Sequence, residues 1–169
     1  MDDEVTQANP ILPRFLGVTS NHTRHGGLMS YTSRININRG FMKLDVWKEA
    51  IELLRLTYRL LKDKKIDFKL KSQIFDAVQS ISANIGEGYG RRSIREYLQF
   101  LNIALGSSAE SLTRMVGLSV IEVITEDEVS SWDEKHYSME NKLLGLVRSL
   151  ESKRKDGTWI QELPPSKAY

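Results

Sequence analysis

The residues best placed to do chemistry lie in one short run, Gly86-x-Gly88-x-Gly90-Arg91-Arg92-Ser93. Glycines, two arginines and a helix start are the ingredients of a phosphate cradle, because free amides and the helix dipole both favour an anion there. The run is not a P-loop: no strand precedes it and no Gly-Lys-Ser/Thr follows. The same residues equally make a tight turn between helices, its arginines held by nearby glutamates, and turn glycines usually serve geometry. The turn is therefore preferred. If phosphate binds, an RNA backbone suits the run better than a nucleotide, and Arg91 and Arg92 are the residues that would meet it.

Three other groupings merit the same weighing. Glu87, Glu96 and Glu110 lie around this hairpin and suggest a carboxylate metal cluster. Bundle metal sites of that kind need a Glu-x-x-His from each of two helices, and His136, with Asp133 three residues before it, is a poor substitute. No metal is expected. A basic face is assembled from Lys48, Arg55, Arg59, Lys62, Lys69 and Lys71, with Arg55, Arg59 and Lys62 at i, i+4 and i+7 on one helix side. Such a face attracts a phosphate backbone, or is simply a solvated face relieved by Glu49, Glu52 and Asp63. Trp47, Tyr58, Tyr97, Phe100 and Trp132 recur at helical spacing and read as core or interface, not as platforms for stacking bases. His136 reads as a satisfied core or interface histidine.

No serine, histidine and aspartate stand at a spacing that suggests a nucleophilic triad. The chain has no cysteine, which excludes disulfides, thiolate zinc sites and a cysteine nucleophile. The expectation is a protein that is not an enzyme, with no cofactor and no small-molecule substrate.

Four helices are predicted to position these residues. From Leu44, Val46, Ala50, Leu53, Thr57 and Leu60 form one seam, and Trp47, Ile51, Leu54, Tyr58 and Leu61 form an adjacent one. A second helix is predicted from Asp67 as N-cap, with Ile74, Val78, Ile81 and Ile85 inward, ending at Gly86 or Gly88. Ser93-x-x-Glu96 is a capping box that opens a third helix reaching about Val123. Its inward residues are Ile94, Tyr97, Leu98, Leu101, Leu105, Leu112, Met115 and Leu118. In its middle, Ala104, Gly106, Ser107, Ser108 and Ala109 admit a close neighbour, at roughly 1 kcal/mol for the mid-helix glycine. A second capping box, Thr125-x-x-Glu128, opens a last helix with a seam of Val129, Trp132, His136, Met139, Leu143, Leu146 and Leu150. Short turns between them predict an all-α, up-down-up-down antiparallel bundle over residues 41–155. Residues 1–40 lack periodicity and are expected to be a disordered tail, with Met29 and Met42 leaving an over-extended start open. Residues 156–169 are expected to be a second tail, with docking of its Trp159 and Ile160 back onto the bundle left open.

The 169 residues suffice for one domain. Net charge is only +2, too small to argue by itself for a polyanion partner. It hides an asymmetry: residues 41–95 hold 12 lysines and arginines against 7 acids, and residues 96–152 hold 4 against 10. That layout serves self-association as readily as nucleic-acid binding. No stretch approaches the ~20 apolar residues of a membrane helix, no signal peptide is visible, and the expected location is the cytoplasm.

Set in order, Phe41-x-x-Leu44-x-Val46-Trp47-x-x-Ala50, Gln73-Ile74, Ser82-x-Asn84-Ile85-x-Glu87-Gly88-x-Gly90-Arg91 with Ser93, and Glu96-Tyr97-x-x-Phe100-Leu101-x-Ile103-Ala104-x-Gly106-Ser107 with Glu110 form a signature. It resembles the bacterial four-helix-bundle proteins encoded within intervening sequences of 23S ribosomal RNA genes. These are relatives of the accessory variability proteins of diversity-generating retroelements. The resemblance covers about residues 41–150. Gly86 stands where alanine is usual, Asp76-Ala77-Val78 where Arg-Ala-Ala is frequent, and residues 111–124 follow the pattern loosely. The resemblance implies a homo-oligomeric ring, a pentamer, with no established enzymatic activity. It also implies, from the retroelement relatives, RNA binding in support of a reverse transcriptase. Two functions stay open: binding of structured RNA, a reverse transcriptase or a ribosomal ribonucleoprotein through Arg55, Arg59, Lys62, Lys69, Lys71, Arg91 and Arg92, or a protein-interaction scaffold that binds no nucleic acid. Asn84, Glu87, Gly88, Gly90, Ser93, Glu96, Gly106, Ser107 and Glu110 are assigned to the hairpin's architecture.

Overall fold

A computed structural model describes residues 37–159. The tail expected over residues 1–40 lies outside the described residues as far as 36, and the second tail from 160 onward. The described residues form a short 3-10 helix, Ile37–Lys43, and four α-helices: α1, Asp45–Leu61; α2, Phe68–Tyr89; α3, Ile94–Val120; and α4, Glu126–Lys155. No strand occurs among them. Each helix packs on its neighbours in sequence, and α4 closes back on α1. That is the up-down-up-down bundle that short turns dictate.

The caps explain the boundaries. Asp67 accepts from the amides of Lys69 and Leu70 and starts α2. Thr125 and Glu128 form the expected reciprocal capping box of α4. At α3 only half of the expected box forms: Ser93 accepts from the Arg95 amide, and no bond from Glu96 back to Ser93 is made among the described residues. Helix α3 stops at Val120, short of the expected Val123. Glu122 takes φ 58°, and the Val123 amide reaches back to the Leu118 carbonyl. This is the left-handed closure that normally uses glycine. Gly157, at φ 65°, closes α4 in the same way.

The core lies between the four seams, with Leu53, Ile74, Ile81, Leu101, Met115, Met139 and Leu143 fully buried. Of the predicted inward residues Tyr58 is the exception, since it faces out. Two polar contacts cross the core. The Trp132 indole of α4 donates to the Thr57 hydroxyl of α1 at 2.8 Å, and that hydroxyl donates to the Leu53 carbonyl at 2.8 Å. His136 stacks on Trp132, ring centroids 5.0 Å apart, and reaches Ser108 of α3. The 3-10 helix lays Phe41 edge-on against Trp47 and Tyr89, covering the ends of α1 and α2. Nothing in the apolar periodicity announced that cover.

A candidate nucleic-acid interface

The α2–α3 hairpin is built differently from its sequence reading. Helix α2 does not stop at Gly86 or Gly88. It continues through both to Tyr89 and ends at Gly90 in ordinary right-handed geometry, φ −76°. Gly88 is there for contact. A Cβ at Gly88 would lie 2.8 Å from the Tyr97 ring and 2.9 Å from the Phe100 Cβ, so α3 closes on bare backbone. Buried Tyr97 has a hydroxyl without a hydrogen-bond partner among the described residues, and burial, with Tyr89 nearby, pushes its pKa up.

The other signature residues are also engaged locally. Asn84 donates to the carbonyl and hydroxyl of Ser80, and Ser107 of α3 donates to the Ser80 hydroxyl at 2.9 Å. Arg114 binds Glu110 on its own helix and Gln73 of α2 at 3.1 Å. Gln73, Ser80, Ser107, Glu110 and Arg114 line a polar groove of about 390 Å³ between α2 and α3. The small-residue run of α3 divides by face. Ala104, Ser107 and Ser108 are buried against neighbours, whereas Gly106 and Ala109 face outward, and a Cβ at Gly106 would meet nothing within 4 Å. The close approach expected at Gly106 is absent from the single chain.

The seven cations proposed to touch a partner do not form one surface. Arg59, Lys62, Lys69 and Lys71 gather around the α1–α2 turn, with Arg55 one turn before Arg59. Arg91 and Arg92 sit at the opposite end of α2, roughly 30 Å away at 1.5 Å per residue. The first group is also partly spent. Arg55 pairs with Glu52, which raises its pKa; Lys62 lies 3.6 Å from Asp63; and Lys71 donates to the Lys62 carbonyl, finishing α1. Arg91 pairs with Glu87 and lies over the Phe100 ring at 4.5 Å, which makes it a brace for the hairpin. Arg92 is exposed.

The antiparallel fold supplies what the chain order hid. The end of α4 returns beside the start of α3, placing Arg154 and Arg95 on one open cleft with Leu98, Gln99, Asn102 and Ile103. Arg92, Lys153 and Lys155 lie at the same end of the bundle, and none of these five cations forms an ion pair among the described residues. Glu96, Glu151 and Asp156 share that end, fewer than the cations. Lys153, Arg154 and Lys155 complement the α4 dipole, which is how their run reads in sequence. Only the antiparallel return of α4 puts them at the same end as Arg92 and Arg95, with Arg154 sharing the cleft of Arg95.

Placement also bears on two alternative chemistries. Among the described residues no three histidine, aspartate or glutamate side chains converge as metal ligands. Ser108, His136 and Asp133, by contrast, do come together, although their spacing gave no hint of it. His136 Nε2 lies 2.8 Å from the Ser108 hydroxyl, and Nδ1 lies 3.5 Å from Asp133. The arrangement is not a catalytic triad. Nε2 is also 3.0 Å from the Ser108 carbonyl, so the imidazole is shared between the serine's backbone and its hydroxyl. Both residues are fully buried, out of reach of substrate.

No helix among the described residues is long and apolar enough to cross a membrane. Comparison with known proteins agrees with the fold. The profile of one family, described as 23S rRNA-intervening sequence protein, matches residues 42–145. A crystal structure from Bacteroides thetaiotaomicron, a protein of unknown function from the S23 ribosomal protein family, is similar at TM-score 0.56 and 26% identity, over 60% of this chain and 97% of that one. No curated protein sequence matches.

Proposed function

The chain belongs to the family of 23S rRNA-intervening sequence proteins, and from that premise we propose that it is a non-enzymatic, self-associating helix bundle that binds RNA or an RNA-containing partner. The observation that carries the reading is the group of cations Arg92, Arg95, Lys153, Arg154 and Lys155 at one end of the bundle, none of them in an ion pair among the described residues. A phosphate chain gains most from cations that no carboxylate has neutralised, and repetition of the patch in an oligomer multiplies the field. The α1 face offers less, because Arg55 and Lys62 are already paired.

Self-association is supported at the opposite end. The register set by Gln73–Arg114 and Ser80–Ser107 brings Phe68 level with the end of α3. There Phe68 is 85% exposed, Val120 76% and Ile121 57%, an apolar patch of the kind that marks a protein interface. Sedimentation equilibrium tests it: the reading expects an assembly that dissociates on Phe68→Ser with Val120→Ser, and a monomer in the unaltered protein contradicts it.

RNA binding is tested by affinity against salt. Replacing Arg92, Lys153 and Lys155 by glutamine is expected to flatten the slope of log affinity on log salt by about 2, at about 0.7 per phosphate contact on single strands. Replacing Arg55 and Lys62, whose charge is already met by Glu52 and Asp63, is expected to change it far less. The absence of any RNA binding at low salt would leave only the protein-interaction scaffold.

A further inference from the structure

We infer that the cleft between the start of α3 and the end of α4 is a seat for one unstacked nucleotide of single-stranded RNA. This rests on the RNA-binding reading and goes past it, from an electrostatic patch to a site that grips a base.

The cleft is about 630 Å³ and open to solvent, within the range of small-ligand sites, roughly 300–1,000 Å³. Its lining is what distinguishes it. Arg95 and Arg154 come from different helices and have no carboxylate partner among the described residues. Two carboxamides, Gln99 and Asn102, stand one and two helical turns beyond Arg95, and Leu98 and Ile103 supply apolar wall, Ile103 being 45% exposed. The groove between α2 and α3 differs on each count: its arginine is tied to Glu110 and Gln73, and its serines bond to each other.

Each lining group matches a part of a nucleotide. A planar guanidinium binds phosphate oxygens in a fork and also stacks on a base. A carboxamide both donates and accepts, as the edge of a base requires. An apolar wall takes the face of the ring. A base is available to such groups only when it is not stacked in a helix, because sequence-reading proteins meet RNA at loops and single strands. Arg95 also stands in the first turn of α3, where the dipole works against it. A cation in the first turn of a helix is disfavoured by the dipole, by about 0.3–1 kcal/mol at an exposed position.

The experiment measures fluorescence anisotropy of a labelled ten-nucleotide mixed-sequence RNA, single-stranded and annealed to its complement, with the full chain and four variants. Arg95→Gln and Arg154→Gln are each expected to weaken single-strand binding about tenfold. Asn102→Ala and Ile103→Ser are expected to weaken it about five- to tenfold and to leave duplex binding within about twofold, since they touch base and not phosphate. All four positions are on the surface, and an unchanged melting temperature confirms that the fold is intact. If Asn102→Ala and Ile103→Ser leave single-strand affinity unchanged, or if the arginine variants lose single strand and duplex alike, the seat is overturned while RNA binding stands. If neither RNA binds the unaltered protein at low salt, the RNA-binding reading itself falls.

Discussion

Gly88 of α2 lies directly beneath the ring of Tyr97 of α3, so close that a Cβ on the glycine would sit 2.8 Å from the ring. This contact sets the spacing of the hairpin to which both arginines are attached. Gly88→Ala is expected to destabilise the protein by about 1–3 kcal/mol, because the overlap outweighs the helix preference that alanine brings. Gly106→Ala, in open space on α3, is expected to stabilise a single chain by up to about 1 kcal/mol. Urea denaturation of both variants checks the pair. A loss at Gly106 would instead show that another chain packs against that face.

Tyr97→Phe is expected to be neutral or to stabilise by about 1 kcal/mol. The hydroxyl is buried without a partner among the described residues, and an unsatisfied polar group costs more than its removal. Thermal denaturation reads the sign, and a clear loss of stability would mean that the hydroxyl has a partner.

Thr57→Val keeps shape and removes the acceptor of the Trp132 indole, in a core position with no exposure. A cost of about 1–3 kcal/mol is expected from the orphaned N–H. Thr57→Ser retains the hydroxyl and should lose less of that hydrogen bond, losing mainly a methyl group's packing. Parallel denaturation curves separate the two terms.

Glu128 is held by Lys64 at 2.8 Å and by the Thr125 amide, and these bonds lower its pKa, the Lys64 hydrogen bond most. A carboxylate with a lowered folded pKa contributes stability above its unfolded value, and loses it as pH falls through the folded one. The consequence is a pH-dependent difference: Glu128→Gln should be less stable than the unaltered chain near pH 7 and approach it below the ordinary carboxylate value of 4.5. Both side chains are about one-third exposed, so the difference is expected to be no more than about 1 kcal/mol. Melting temperatures from pH 7 to pH 3 test it, and a constant difference would exclude the linkage.

Helix count, the N-caps Asp67, Ser93 and Thr125, and most of each buried seam are legible in the chain because they depend on residues three or four apart. Spacing of 3.6 residues and capping chemistry are local, and local rules suffice for them. Even the family follows from such residues. What stayed hidden is whatever depends on how helices are laid side by side. Gly88 read as a helix stop until Tyr97 was placed against it, and Ser108, His136 and Asp133 met across a helix pair that their numbering separates. The same holds for the basic patch: Arg95 and Arg154 are 59 positions apart in sequence and share a cleft only because α4 runs antiparallel to α3. Side-chain type and spacing determined the bundle, and antiparallel packing decided which charges stand together.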